Sequence, residues 1–371
     1  MILETLNLTN FRNYKQAEVG FRAGTNVLFG KNGQGKTNIL ESIYYLALTK
    51  SFRTSSDPNL ISNKEKYFRI QGDLKSTQGR SHQSAIAYSQ VDGKRLLYNG
   101  QRIQKFSEYI GYIPVVLLAP SDLQISQNGP QQRRQFLDIV LSQSSKLYLH
   151  HLIQYRRSLK QRNALLQEDA TDANLLRSWE EALVQHGTIL IQKRLEAIES
   201  LDKMVKEFYG QLSGMADKVK MVYQSSVPFK KPESIAQAYQ TAFSNSREKE
   251  LQTGSTAIGP HRDDVLFLIN GKALRAIGSQ GEHKTFVIAL KMAEFNFLKN
   301  VQNETPLLLF DDIFGELDAG RISNMIGSLS RIGQVFITTT SPHFFGKMNN
   351  WEADAHFYEI EQGTVSVRES L

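Results

Sequence analysis

The chain has 371 residues, 40% of them hydrophobic and 22% charged, with a net charge of +7 and a sequence pI near 9.3. That length can bury a large core and hold more than one lobe. There is no cysteine, which excludes disulfides, thiolate metal sites and cysteine nucleophiles. No apolar run reaches the roughly 18 residues of a membrane span. Met1-Ile2-Leu3-Glu4-Thr5 lacks the basic and apolar segments of a secretory leader, so a cytoplasmic protein is expected.

Thr25-Asn26-Val27-Leu28-Phe29 reads as an apolar strand. Gly30-Lys31-Asn32-Gly33-Gln34-Gly35-Lys36-Thr37 follows and spells the phosphate-binding pattern G-x-x-x-x-G-K-T. Ile39, Leu40, Ile43, Tyr44 and Ala47 then recur at helical spacing. Strand, glycine loop and helix are the context this pattern needs. Glycines let backbone N–H groups turn inward around phosphates, Lys36 is expected at the β/γ-phosphates and Thr37 at Mg²⁺, and a helix N-terminus favours the anion. ATP with Mg²⁺ is the expected cofactor.

Beyond the first helix, short apolar runs at 67–70, 85–88, 96–98 and 115–118 are separated by Thr77-Gln78-Gly79, Asp92-Gly93 and Asn99-Gly100. That turn chemistry predicts antiparallel hairpins across residues 67–118. The charge is uneven. Residues 50–105 hold eleven Lys/Arg against four Asp/Glu, which accounts for the whole excess. Between Pro130 and Leu165, seven further Lys/Arg face the single acid Asp138. Basic surface often serves solubility alone, but two such patches beside a nucleotide pattern point to a polyanion. Arg133, Arg134, Arg156, Arg157, Lys160 and Arg162 are the candidate DNA contacts.

From Gln131 to about Leu212 glycine is scarce and proline absent, and apolar residues such as Leu149, Leu152, Leu183 and Leu190 predict long amphipathic helices. Val265 to Ile269 reads as a strand closed by Asn270-Gly271. The sequence divides as an N-terminal part of an ATPase lobe (1–120), a helical insertion (121–250) and a C-terminal part of the ATPase lobe (251–371). The eight histidines show no metal-ligand spacing.

Leu307-Leu308-Leu309-Phe310-Asp311-Asp312 is an apolar strand ending in two acids. In a P-loop ATPase the first, Asp311, holds Mg²⁺, and the second, Asp312, orients or deprotonates the attacking water. Acids at a strand end also serve as plain turn formers. Here Glu316-Leu317-Asp318 follows, and Asp318 lies seven positions beyond Asp311, as in the ATP-binding-cassette pattern. Gly278-Ser279-Gln280-Gly281-Glu282 resembles the cassette signature, a common Ser-x-Gly triplet that here opens a helix bearing Phe286, Ala289, Leu290, Ala293 and Phe297 on one face. In that reading Ser279 and Gly281 meet a γ-phosphate bound in another subunit.

These residues, together with Asn10 to Tyr14, Lys50 to Thr54, Pro120 to Leu123, Gly129-Pro130, Arg133 to Asp138, Lys160 to Asn163 and Gly259 to Asp264, resemble the RecF family of bacterial DNA repair proteins, SMC-like cassette ATPases. The resemblance covers nearly the whole chain. It implies an α/β fold, a P-loop ABC-type ATPase head of mixed sheet and helices with an inserted, mainly helical lobe. It also implies an ATP-dependent homodimer, slow ATP hydrolysis, DNA binding, and mediator partners that load recombinase at single-strand gaps, with roles in replication and the SOS response. Arg12 and Asn13 are placed near the nucleotide by the same resemblance.

The sequence departs from the family pattern at three places. Glu282-His283-Lys284 follows the signature turn, where Gln-Gln-Arg is usual. Asp312 stands where transporters carry a catalytic Glu, and its shorter reach suggests slow turnover. Ile337-Thr338-Thr339-Thr340 occupies the place of a switch histidine, with His343 nearby. An ATPase subunit of a membrane transporter is the main alternative, but such chains pack their motifs more closely than the 245 residues between Lys36 and Gly281. A small-molecule P-loop kinase is a further alternative, and it would act without a signature helix.

Overall fold

The computed structural model describes residues 1–168, 172–214, 217–312, 333–340 and 355–368. β1 (Ile2–Phe11) and β2 (Tyr14–Gly20) form a hairpin, and β3 (Thr25–Phe29) leads through the glycine loop into α1 (Lys36–Leu48). β4 (Tyr67–Lys75), β5 (Ser81–Ser89), β6 (Gly93–Tyr98) and β7 (Gln101–Ile103) follow as a meander, then α2 (Phe106–Tyr109) and β8 (Val115–Leu118). Next come α3 (Leu123–Gln127), α4 (Pro130–Ser144), α5 (Lys146–Leu165), α6 (Ala173–Ser213), β9 (Val219–Gln224) and α7 (Ile235–Thr253). β10 (Asp264–Ile269), β11 (Lys272–Ala273), α8 (Leu274–Ile277) and α9 (Gln280–Gln302) precede β12 (Leu307–Phe310), β13 (Val335–Thr339), β14 (Ala355–Glu361) and β15 (Thr364–Arg368).

The chain divides into two compact units, one of Met1–Asp122 with Lys291–Leu371 and the other of Leu123–Leu290. Unit 1 contains an antiparallel sheet of order β2-β1-β4-β5-β6-β7 and a mixed sheet of order β15-β14-β3-β13-β12-β8. The predicted turns make the antiparallel hairpins. Asn99 and Gly100 both adopt positive φ, 50° and 77°, as a tight two-residue hairpin turn demands. Val115 to Leu118 departs from that series. It lies parallel to β12, pairing Val115 with Leu307 and Leu118 with Phe310, because a continuous apolar run suits a strand buried on both faces. Helix α1 packs against strands of both sheets and is buried on nearly every side, with Tyr45 meeting Phe68 edge-on at 5.5 Å.

Unit 2 combines α4 to α7 with a sheet of order β11-β10-β9. Its helices start on side chains suited to the task. Asp172 caps α6 by accepting from the N–H groups of Asn174 and Leu175, and Ser145 caps α5 through Tyr148 N–H. At 41 residues, α6 is about 60 Å long. The unit reaches Leu290, past the expected return to the ATPase lobe near residue 251. The reason is packing: β9 lies on α6, β10 on α4, and Phe267 of β10 meets Phe286 of α9 at 4.7 Å.

Buried charge organises this unit. Asp138 accepts from Tyr148 Oη (2.6 Å), Arg194 (2.8 Å) and Arg156 (2.8 Å). Arg133 clamps Asp264 through two bonds of 2.7 and 3.0 Å, and Arg194 also donates to the carbonyl of Pro260. Asp263 receives Tyr223 Oη and both the N–H and hydroxyl of Ser226. Burial pulls the His261 imidazole down from 6.5 to about 4, so it sits neutral against Tyr155 Oη and the Thr256 carbonyl. Arg162 is fully buried, donates to Glu180 (2.8 Å), Glu250 (2.5 Å) and Thr256 Oγ1 (2.8 Å), and lies over the Phe243 ring.

Removing Arg162 strands Glu250, which is completely buried. Arg162→Ala is expected to cost about 3–5 kcal/mol of stability. Chemical denaturation checks this as a lower midpoint at unchanged slope.

Candidate nucleotide site

β3 sits between β14 and β13, parallel to both, so its C-terminal end opens into the glycine loop at the middle of the sheet. Two glycines are dictated by close neighbours. A Cβ on Gly30 would lie 2.3 Å from the Ile360 carbonyl oxygen, and one on Gly35 would lie 2.6 Å from Asn13 Nδ2. Gly35 is the N-cap of α1, with φ 119°, and no side chain caps the helix there. The first-turn N–H groups of α1 therefore face the loop without a capping side chain, as an anion site requires. Lys36 is buried, and its Nζ donates to the carbonyls of Gly30 (2.7 Å) and Lys31 (2.9 Å). Desolvation lowers its pKa, while Asp312 and Asp311 act in the opposite sense.

Asp311 leaves the end of β12 and is nearly buried. Its Oδ1 accepts the Thr37 hydroxyl at 2.7 Å and the Thr338 hydroxyl at 2.9 Å. Thr37 and Asp311 thus supply adjacent hard oxygens, the donor set Mg²⁺ prefers. Asp312 follows with φ 47°, exposed, its N–H donating to Thr338 Oγ1 at 2.9 Å. Asp318, Glu316, Leu317 and His343 lie outside the described residues.

Arg12 and Asn13 both come to the loop's surroundings, with different partners. Arg12, at φ 55°, closes on buried Glu41 of α1 (2.9 and 2.6 Å) and on the Asn59 carbonyl. Asn13 donates to the Gln34 carbonyl at 2.8 Å and accepts from Asn38. Sequence reasoning missed several members of the same cluster. Arg53 reaches Asn38 (2.8 Å) and Glu41 (3.3 Å), and the Ser51 hydroxyl donates to Glu41. In the β14–β15 turn, Gln362 N–H donates to Gln34 Oε1 and Gly363 N–H to the Gln34 carbonyl. Thr338 carried one legible signal, a polar run of threonines closing an apolar strand.

A model of the RecF/RecN/SMC N-terminal domain matches residues 2–364. The DNA replication and repair protein RecF of Streptococcus suis is 38% identical over the full length of both chains. That of Streptococcus gordonii is 37% identical over 98% of this chain and all of its own. The chain belongs to the RecF family. Solved structures of the recombination mediator protein RecF in the RecFOR pathway, one with ATP and one with ATPrS, match at TM-score 0.90, with 32% and 30% identity over 99% of this chain and 97% and 98% of theirs. An Smc head bound to the C-winged helix domain of ScpA matches at TM-score 0.56 and 16% identity, a likeness of fold alone. The transporter alternative gains nothing from these comparisons.

The family's other motifs fall in unit 2. Ser279 stands before α9, and its N–H and hydroxyl both donate to Glu282 at 2.7 Å, while Glu282 N–H returns to Ser279 Oγ. Glu282, unusual for a RecF signature, therefore completes a capping box, and these bonds lower its carboxyl pKa. Gly281 lies in the first turn. His283 is buried against Ser126 Oγ at 2.9 Å.

Two of the DNA candidates require correction. Arg133 and Arg162 are buried and committed to Asp264 and to Glu180 and Glu250, so neither guanidinium can offer a face to a phosphate. Arg134 is partly buried and donates to the Asp263 carbonyl. Arg156, Arg157 and Lys160 are exposed on α5, Arg156 sharing Asp138.

Lys36→Ala removes the ammonium from the loop while leaving the fold-bearing residues of α1 in place. ATP affinity is expected to fall about 10- to 100-fold, the size of a missing charged hydrogen-bonding group. Calorimetric titration with ATP, with far-UV circular dichroism as the folding control, checks it.

Proposed function

We propose that this RecF-family chain binds ATP with Mg²⁺ at the loop between β3 and α1 and works in DNA replication and repair as an ATP-switched, DNA-binding protein. The observation that carries the reading is the Thr37–Asp311 contact beside an α1 N-terminus that no side chain caps. It brings a phosphate cradle and a cation-binding carboxylate together at one strand end. Lys36 holds charge at the phosphates, the α1 N–H groups donate to the anion, and Thr37 and Asp311 hold the cation. Bound Mg²⁺ neutralises phosphate charge. Asp312, exposed at the mouth of the loop, orients a water and takes its proton. The ATP-bound and ATPrS-bound RecF structures, at about the same third of identity, support the nucleotide part.

ATP-dependent pairing of two copies belongs to this proposal. It gives Ser279 and Gly281, exposed at the start of α9, a phosphate to meet in the partner copy. Slow hydrolysis stimulated by DNA would then time release, in a cytoplasmic protein that meets mediator proteins at gapped DNA. Asp312→Asn is nearly isosteric but cannot take up a proton. Turnover is expected to fall about 10²- to 10⁴-fold with ATP affinity retained, and ATP is expected to hold the variant as a dimer. Phosphate release and sedimentation with ATP measure the two effects; unchanged turnover removes Asp312 from the proposed role.

For DNA, Arg156, Arg157 and Lys160 form the exposed basic face of α5. The double variant Arg156→Ala/Lys160→Ala is expected to weaken duplex binding and to flatten the salt dependence of log K by about 0.9 for each phosphate left without its cation, with ATP affinity unchanged. A binding titration across salt concentrations reads both. Wild-type affinity and slope would move the DNA surface to Lys64, Lys66, Arg69 and Arg95, since Lys94 is held by Asp57 and the Thr49 carbonyl.

A further inference from the structure

β13 is buried along its length, Val335-Phe336-Ile337-Thr338-Thr339. Valine would fill position 338 as well as threonine and would bring no hydroxyl into the core, where an unbonded one is costly. Thr338 is fully buried, yet its hydroxyl is well bonded. It donates to Asp311 Oδ1 at 2.9 Å, lies 3.4 Å from the Phe310 carbonyl, and accepts the Asp312 N–H at 2.9 Å. One oxygen therefore touches both consecutive acids at the end of β12.

The two contacts do different things. Oδ1 of Asp311 accepts Thr338 and Thr37 together, which fixes the rotation of the carboxylate. The bond from Asp312 N–H closes on a residue at φ 47°, a left-handed conformation that Asp visits more readily than most residues with a side chain and that this bond supports. Asp312 is exposed there while Asp311 stays buried. Pairing in β13–β12 supports the placement, with Ile337 opposite Phe310, so Thr338 stands one step beyond the last paired residue, level with the acids.

We infer that Thr338 is a positioning residue for the cation site: it orients Asp311 toward Mg²⁺ and sets the backbone turn that presents Asp312. The inference rests on the proposed reading of Asp311 as the cation ligand. Outer partners of metal-binding carboxylates commonly contribute 10- to 100-fold to metal affinity.

The experiment compares Thr338→Val, Thr338→Ala and Thr338→Ser, with Asp311→Ala as the reference. The equilibrium readout is the Mg²⁺ concentration that half-saturates the thermal shift produced by a non-hydrolysable ATP analogue. ATP turnover against Mg²⁺ is the second readout. Thr338→Val is expected to raise the Mg²⁺ requirement about tenfold or more and to lower turnover, with nucleotide affinity in the absence of Mg²⁺ unchanged. Thr338→Ser, which keeps the hydroxyl, restores both. If Thr338→Val does not fold, Thr338→Ala carries the same comparison against serine. A wild-type Mg²⁺ requirement in the valine and alanine variants overturns the inference, as does a serine variant as impaired as they are, since the methyl group would then be what matters. If Asp311→Ala itself leaves the Mg²⁺ dependence intact, the reading of the cation site fails; if only the Thr338 variants are silent, that reading stands.

Discussion

Parallel register among β3, β13 and β12 is the constraint on which the nucleotide site depends. Thr339 pairs with Phe29 and Ile337 with both Val27 and Phe310, so β12 ends two residues short of β3 and β13. Asp311 therefore leaves β12 level with Thr338 and Leu28, and Gly30 opens the loop two residues further on. A slip of one residue in any of the three would turn its side chains to the opposite face and part Thr37 from Asp311. Register is pinned by burial on both faces, since Val27, Leu28, Leu308, Leu309, Phe336 and Ile337 are all essentially inaccessible. The apolar strands thus act on catalysis at a distance of one residue, by fixing where polar side chains begin.

In unit 2 the same role falls to buried charge. The motifs that mark the family, Arg133 to Asp138, Lys160 to Asn163 and Gly259 to Asp264, are largely internal to this unit. Asp138 joins α4, α5 and α6 through Tyr148, Arg156 and Arg194, and Asn163 Oδ1 accepts both the N–H and hydroxyl of Thr256. The Arg194 and Thr256 bonds link segments 56 and 93 residues apart in sequence. Isolated, Asp138 or Arg194 would be expensive to bury; bonded to each other and to Tyr148 they tolerate few alternative arrangements.

What is legible in the sequence is local. The glycine loop needs a strand before it and a helix after it, and the hairpin turns need Asn-Gly or Asp-Gly, so both can be read from neighbouring residues. The acidic end of β12 is readable for the same reason. Arg133 and Arg162 mislead because their partners, Asp264 and Glu250, lie 131 and 88 residues away, and a run of arginines looks alike whether it faces water or carboxylates. The far end of unit 2 escapes the sequence because β10 looks like a strand of the ATPase lobe; only its pairing with β9 and its packing on α4 assign it. Glu282 looks like a lapse from the signature, but it restores by its own carboxylate the helix-capping bonds of Ser279.

The burial of those arginines also changes where a polyanion can be met. Of the candidate DNA contacts on α5, Arg156, Arg157 and Lys160 remain exposed, and Arg156 already shares Asp138. In unit 1 the antiparallel register lines Arg69 beside Ala87 and Ala87 beside Arg95 on one face, with Lys64, Lys66 and Arg102 also exposed. Arg69 rests on Gln71 and Arg95 on Asp92. Such exposed contacts are worth little and exchange readily, whereas the pairs around Arg133 and Arg162 do not. Attraction for DNA at long range needs charge that is exposed and weakly held. Arg69, Arg95 and Arg102 carry exposed charge of that kind on the unit that also holds the phosphate loop.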